Sequence, residues 1–263
     1  MKFLLINPAG DLRKIPNLGL GYLSSALKSN GFESRIGDRH QIGGNGRNFI
    51  ETISSGAWDF VGFQTYSAMV PETLRLAGIV KKARKETIVA AGGTHPSALP
   101  EDLLFEGSPV DYVFAGEAEK SLLEFAKAAG DRGRLKGIGG VAFRNWNGGI
   151  RQAKPDYAAD LDDIPFPDWD EISPLKYPVS PIGAFYRALP SAPILTSRGC
   201  PFGCKYCASH SVVGNIVRVR SSSNIAEEID MLERKFGVRE LQILDDNFTL
   251  KKEHAMSVCE MLA

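Results

Sequence analysis

Three of the four cysteines, Cys200, Cys204 and Cys207, fall within one eight-residue stretch, and the fourth, Cys259, lies well downstream. A CxxxCxxC spacing gathers three thiolates in a single loop, enough to ligate three irons of a cubane cluster and leave the fourth iron open. Gly199, Pro201 and Gly203 supply the tight turn that such a loop needs. Structural zinc is the competing metal, but it takes four protein ligands, usually as two separated pairs. The run Cys200, Cys204, Cys207 and His210 is not that arrangement. Nor does this clustering suit a secreted disulfide scaffold, so a reduced, cytoplasmic thiolate site is expected. A second polar cluster, Asp245-Asp246-Asn247, follows the strand-like run 241–244, the end of a strand at which barrel sites collect. Either acid is equally able to cap the next helix. Cys259 shares a helical stripe with Ala255, Val258 and Leu262, which points to core packing.

The elements that must position these residues read as two α/β units. Short strands are expected at 3–6, 33–37, 60–64, 87–91 and 111–114, separated by helices marked by Leu20, Leu23 and Leu27 and by stretches near 47–55, 71–84, 98–106 and 118–129. That alternation predicts a mainly parallel, Rossmann-like (flavodoxin-like) sheet covered on both faces. Its ligand edge lies beyond the strand C-termini, at 7–17, 38–45, 65–68, 92–96 and 116–117. Residues 137–153 alternate around Asn147-Gly148-Gly149 as a hairpin would. Eight prolines between Lys154 and Pro193 predict an extended connector. Strand 194–196, the cysteine loop, a helix through Ile225, Ile229, Leu232 and Phe236, strand 241–244, the acidic loop and a last helix then form two β/α units. The helix through Ile225 is capped by Ser223 or Asn224 and ended by Gly237. The expected division is 1–135, 136–190 and 191–263.

Composition narrows the functions. The 263 residues are 43% hydrophobic, and 31 basic residues balance 31 acidic ones. A globular chain with zero formal charge is a poor candidate for a general nucleic-acid binder. No apolar run approaches the roughly 20 residues of a membrane span, and the N-terminus is too short in apolar residues for a signal peptide. Neither GxGxxG nor GxxxxGK[ST] occurs, which weakens nicotinamide and nucleoside triphosphate readings.

The segment from Cys200 through Pro201, Phe202, Gly203, Cys204, Lys205 and Tyr206 to Cys207 resembles the radical S-adenosylmethionine (SAM) superfamily. That resemblance implies a [4Fe-4S] cluster on the three cysteines, SAM on the open iron and reductive cleavage to a 5′-deoxyadenosyl radical. It also implies an adenine contact for Tyr206, with simple packing as the alternative. Asp246 is preferred over Asp245 as a polar contact to SAM. The first half resembles the cobalamin-binding domain that precedes many radical SAM domains, through Pro16–Leu27, Gly92-Gly-Thr-His-Pro96, Leu99–Asp102 and Asp111–Glu119. By that resemblance Thr65, Tyr66, Ser67, Gly92, Gly93, Gly116 and Glu117 surround cobalamin, and His95 is a cofactor neighbour without being a cobalt ligand. Asp38-Arg-His40-Gln-Ile-Gly43 matches DxHxxG in form, the motif whose histidine binds cobalt from below in some B12 proteins. It follows the second strand where the family has it after the first, so His40 is expected to be an ordinary loop histidine. Arg218 and Arg220 read equally well as a solvated loop.

The implied activity is methyl transfer from cobalamin to an unactivated carbon or phosphorus centre of a small-molecule substrate. The electron donor would be external, such as a flavodoxin or ferredoxin, and no membrane or nucleic-acid partner is implied. A radical SAM oxidative cyclase or rearrangement enzyme is the alternative, and a non-catalytic cobalamin and iron-sulfur binding fragment is a third. Two β/α units are fewer than the family's barrel contains, so the chain is expected to be truncated within the barrel or completed by another chain.

Overall fold

The computed structural model describes residues 1–8, 15–41, 46–128, 132–177 and 186–263. The first half runs β1 (Lys2–Asn7), α1 (Leu18–Lys28), β2 (Glu33–Asp38), α2 (Gly46–Ser54), β3 (Phe60–Gln64), α3 (Val70–Ala83), β4 (Ile88–Gly92), α4 (Thr94–Ala98), β5 (Tyr112–Phe114), α5 (Glu119–Lys127) and α6 (Arg132–Leu135). A hairpin of β6 (Val141–Arg144) and β7 (Ile150–Gln152) completes a seven-stranded sheet in the order β2-β1-β3-β4-β5-β6-β7. The first five strands are parallel, and β6 and β7 are antiparallel. Because helices cover both faces, β1 is a continuous apolar run buried from Phe3 to Ile6. One face packs Phe3, Phe60, Phe114 and Phe125 under α1 and α5, and the other packs Leu4, Val61, Leu76 and Val80 under α2 and α3. Asn17 starts α1 by accepting a hydrogen bond from the Leu20 N–H.

The helix expected over 98–106 does not form. In its place α4 ends at Ala98 and a single 3-10 turn spans Pro100–Asp102. Pro100 removes a backbone donor and pushes Leu99 out of the helical region, to φ −138°.

The second half runs β8 (Ser191–Ile194), β9 (Ser197–Arg198), α7 (Ser209–Val213), β10 (Arg218–Val219), α8 (Ser222–Phe236), β11 (Glu240–Ile243) and α9 (Lys252–Leu262). Strands β8 and β11 pair in parallel across α8, whereas β9 and β10 form a short antiparallel ribbon. Strand β8 starts earlier than expected and includes Pro193. Pro190 and Ile194 accept from β11-side amides through their carbonyls, so by alternation the missing N–H of Pro193 faces the unpaired side. Ser221, not Ser223 or Asn224, caps α8, and Gly237 ends it at φ 65°. Cys259 is exposed while Val258 is buried, so the inward stripe of α9 passes through Val258 and Met261 and misses the thiol.

Among its described residues the connector carries only a 3-10 turn at Pro174–Lys176, yet it is firmly held. Asp168 accepts from Ser24 (2.7 Å) and pairs with Lys28 (2.6 Å) on α1. The neighbouring Trp169 is buried and donates to Glu228 on α8 (2.9 Å). Glu228 is wholly buried and pairs with Arg220 at 2.6 Å, and Arg220 also donates to the Leu195 carbonyl. Arg220 is therefore an interior residue and not part of a solvated loop. Removing one partner of a buried pair leaves an uncompensated charge, which costs about 3–5 kcal/mol. Glu228→Gln, which retains the size of the side chain, is expected to lower unfolding free energy by about 3 kcal/mol in urea titrations.

Candidate functional site

A cavity of about 250 Å³ opens where the C-terminal ends of β3, β4 and β5 meet the start of the second half. Strand residues Leu5, Phe60 and Ala90 form its floor, Leu20 and Leu122 its sides, and Leu195, Ser197, Arg198 and Asp246 its roof. Both halves thus build one pocket, at the strand edge where ligands of open α/β sheets bind. Gly92, Gly93, Gly116 and Glu117 lie in the wall. Gly93 sits at φ 107°, and a Cβ there would stand 3.2 Å from the Thr65 carbonyl oxygen, so the close turn requires glycine. Gly116, at φ 81°, is pressed against Pro155 of the connector.

The other predicted contacts of the first half, Thr65, Tyr66, Ser67 and His95, are not among the residues that line the cavity. Thr65 is buried and directs its hydroxyl to the Phe63 carbonyl and Thr73, while its N–H donates to the Gly92 carbonyl. Its role in the structure is to hold β3 and β4 in register. Tyr66 is half-buried beside it, and Ser67 is exposed with its hydroxyl 3.1 Å from His95 Nδ1. His95 Nε2 lies 3.2 Å from Asp102 Oδ2, although the angle is too poor for a hydrogen bond. Nδ1 of His95 is thus engaged by Ser67, while its buried Nε2 has no hydrogen-bond partner. His40 donates its backbone N–H to Asp38, and its buried Nε2 has no partner. Asp38 in turn accepts from Asn7 and from the Tyr177 hydroxyl, whose pKa burial pushes well above its usual value. Residues 9–14 and 42–45, which include Gly43 and parts of two expected ligand loops, lie outside the described residues.

The cysteine loop leaves the ribbon at Gly199, whose φ of 98° and contact with the Ile216 carbonyl leave no room for a side chain. Cys200 and Cys207 are half-buried, Cys204 is exposed, and all are free thiols. Hydrogen bonds from Ser209 lower the Cys207 pKa and so favour the thiolate that a metal requires. The chain on either side of the loop, Arg198 before it and Val212 and Val213 after it, lines the cavity while the three cysteines do not, and among the described residues no three His, Cys, Asp or Glu side chains converge on a common metal position. Donor chemistry and access fit an iron-sulfur cluster. Tyr206 is 93% exposed, so the packing alternative for it does not hold.

The two aspartates have different tasks. Asp245 accepts from the Thr196 N–H, the Thr196 hydroxyl and the Ser197 hydroxyl at 2.6–2.7 Å, tying the end of β11 to the end of β8. Asp246 faces the cavity and accepts from Ser209 at 2.6 Å. Neither caps α9, which begins at Lys252 with Lys251 at its N-cap and no side-chain cap.

A buried set of charges, missed in the sequence, joins the halves. Glu117 takes a bidentate pair from Arg218 at 2.6 and 2.9 Å, and Arg198 contacts Glu119 at 2.8 Å and Glu117 at 3.7 Å. All four side chains are largely out of water. Arg218 is therefore not a solvated loop residue, and the carboxylate of Glu117 is engaged by protein. The only sequence signal was the position of these residues, beside the cysteine loop and at the end of β5.

Residues 2–126 match the family model described as the B12 binding domain. An uncharacterized methyltransferase of Pyrococcus horikoshii is 29% identical over 266 residues, covering 98% of this chain and 56% of its own length. Cytidylyl-2-hydroxyethylphosphonate methyltransferase of Streptomyces wedmorensis is 27% identical, covering 97% and 56%. An anaerobic magnesium-protoporphyrin IX monomethyl ester cyclase of Synechocystis is 24% identical, covering 100% and 53%. The chain thus spans about half the length of the curated relatives it matches. In fold it resembles the radical SAM methyltransferase TsrM of Kitasatospora setae, solved with cobalamin and a [4Fe-4S] cluster, at a TM-score of 0.74, 20% identity, 99% of this chain and 50% of that one. The architecture is a Rossmann-like B12 domain followed by the first β/α units of a barrel.

His254 Nε2 approaches the Thr196 hydroxyl at 3.0 Å, within the bonds made by Asp245. Burial lowers its pKa, Asp245 opposes that shift, and Lys251 adds to it. The unfolded chain, with an ordinary histidine near 6.5, then binds the proton first. Stability is expected to be full above about pH 6.5 and to fall as pH drops through the folded value. His254→Gln flattens that fall in urea midpoints measured between pH 7 and pH 5.

Proposed function

We propose that this chain is a member of the cobalamin-binding radical SAM family and holds cobalamin at the sheet edge and an iron-sulfur cluster with SAM on its cysteine loop. The complete protein is then a methyltransferase acting on an unactivated carbon or phosphorus centre. The observation that carries this reading is the shared cavity, walled by Gly92, Gly93 and Gly116 from one half and roofed by Ser197, Arg198 and Asp246 from the other. When bound, the cluster with SAM supplies radical chemistry, and cobalamin supplies a transferable methyl group.

The residues themselves bind, orient and exclude water. Gly92 and Gly93 let the backbone approach a large planar ligand, and Ser67, held by His95, presents a hydroxyl at the same edge. Cys200, Cys204 and Cys207 would hold the cluster, with no fourth cysteine in the loop, which leaves a coordination position for SAM. Tyr206, exposed within that loop, and Asp246, bonded to Ser209 just after it, would contact the adenine and a polar group of SAM. The apolar floor of Leu5, Phe60 and Ala90 keeps water from the interior of the cavity. Ring-forming oxidation is the second reading, favoured by the likeness to the Synechocystis cyclase. An external electron donor, and a further segment or chain that completes the barrel, belong to the same proposal.

Anaerobic reconstitution is expected to load about four irons per chain and give an absorption band bleached by dithionite. Cys204→Ala abolishes both, and full iron retention by that variant would refute the ligand assignment. Gly93→Val, which forces a β-branched residue into a left-handed backbone, weakens equilibrium cobalamin uptake by at least about tenfold. Product analysis with SAM and an acceptor, using a protein that includes the whole barrel, separates methyl transfer from cyclisation.

A further inference from the structure

We infer that Arg218 is a positioning residue that fixes the cysteine loop beside the cavity. Its guanidinium makes four hydrogen bonds into three segments: two to Glu117 beyond β5, one to the Ala158 carbonyl in the connector at 2.9 Å, and one to the Val213 carbonyl at the end of α7 at 2.9 Å. Its backbone pairs with Arg198 in the β9–β10 ribbon, and Arg198 leads through Gly199 directly into Cys200. The far side of the loop is tied to the same place, since the Cys200 N–H donates to the Gly214 carbonyl at 3.1 Å. Gly214, at φ 73°, lies against the Tyr157 ring, over which the Arg218 guanidinium also sits at 5.4 Å. One residue therefore joins all of these segments, its backbone pairing with the entry strand of the cysteine loop and its side chain holding the exit, the connector and the B12-domain loop.

The arrangement requires arginine. Two guanidinium groups opposite each other in a ribbon repel, and Glu117 lies between them, close to Arg218 and 3.7 Å from Arg198. A planar fork satisfies a bidentate carboxylate and two carbonyls at once, whereas the point charge of lysine does not. These contacts are independent of what the loop holds. Only their purpose, presenting three thiols to the ligand of the cavity, rests on the function proposed above.

Amide hydrogen exchange on the full chain, reduced and metal-free, tests the assignment with Arg218→Lys and Arg218→Gln. Both variants are expected to speed exchange at Cys200 by about tenfold or more while amides of β1 and β4 keep their protection. A lysine variant that behaves like the parent would reduce the role to charge alone and overturn the assignment. Equal loss of protection in β1 and β4 would do the same, by making the residue a general stabiliser. Should Arg218→Gln fail to fold, the lysine variant decides alone. Failure of cobalamin or iron uptake by the parent chain would count against the proposed function and leave the exchange result standing.

Discussion

Two arginines and two glutamates meet in the interior between the halves of this protein, and their mutual neutralisation is the constraint on which the rest of the site depends. Removing such groups from water costs several kcal/mol each unless partner and geometry are both right. A small slide of one half against the other would leave Glu117 or Arg198 buried and unpaired. The charges therefore specify one docking arrangement more than they add to stability. Apolar contacts alone, which tolerate a range of offsets, would specify it less strictly.

That fixed docking turns two strand edges into one site. The end of β3, the loops after β4 and β5 and the loops after β8 and β11 all line the same cavity, as expected where parallel strands end. Ser197 and Thr196 are held by Asp245, which frees its neighbour Asp246 to face the cavity. Adjacent acids thus divide the work, one holding the scaffold and the other available to a ligand.

Much of the fold was legible because its signals are local. Phe3–Ile6, the Leu20–Leu27 stripe and the Asn147-Gly148-Gly149 turn each carry their own periodicity or turn chemistry. Failures occurred where a distant partner or a single residue decided the outcome. Pro100 broke a helix that the apolar pattern alone supports, and Pro193 entered a strand because its missing donor points away from β11. The spacing of the cysteines marked the candidate site directly. The burial of Arg218 and Arg220 did not show, because their partners Glu117 and Glu228 are 101 and 8 residues away and periodicity does not encode such pairings. Thr65 was expected to face a ligand, but sequence gives no direction to a hydroxyl, and the structure turns it inward.

The connector has a consequence for biosynthesis. Its Trp169 seals between α1 and α8 only when Glu228, 59 residues further along, is available to receive the indole N–H. The parallel sheet can condense on a nascent polypeptide as soon as its own strands have left the ribosome. The strap must wait for α8, so an aromatic ring destined for the interior stays in water through that interval of translation. The tightening of this middle segment thus follows the condensation of the sheet that precedes it in the chain.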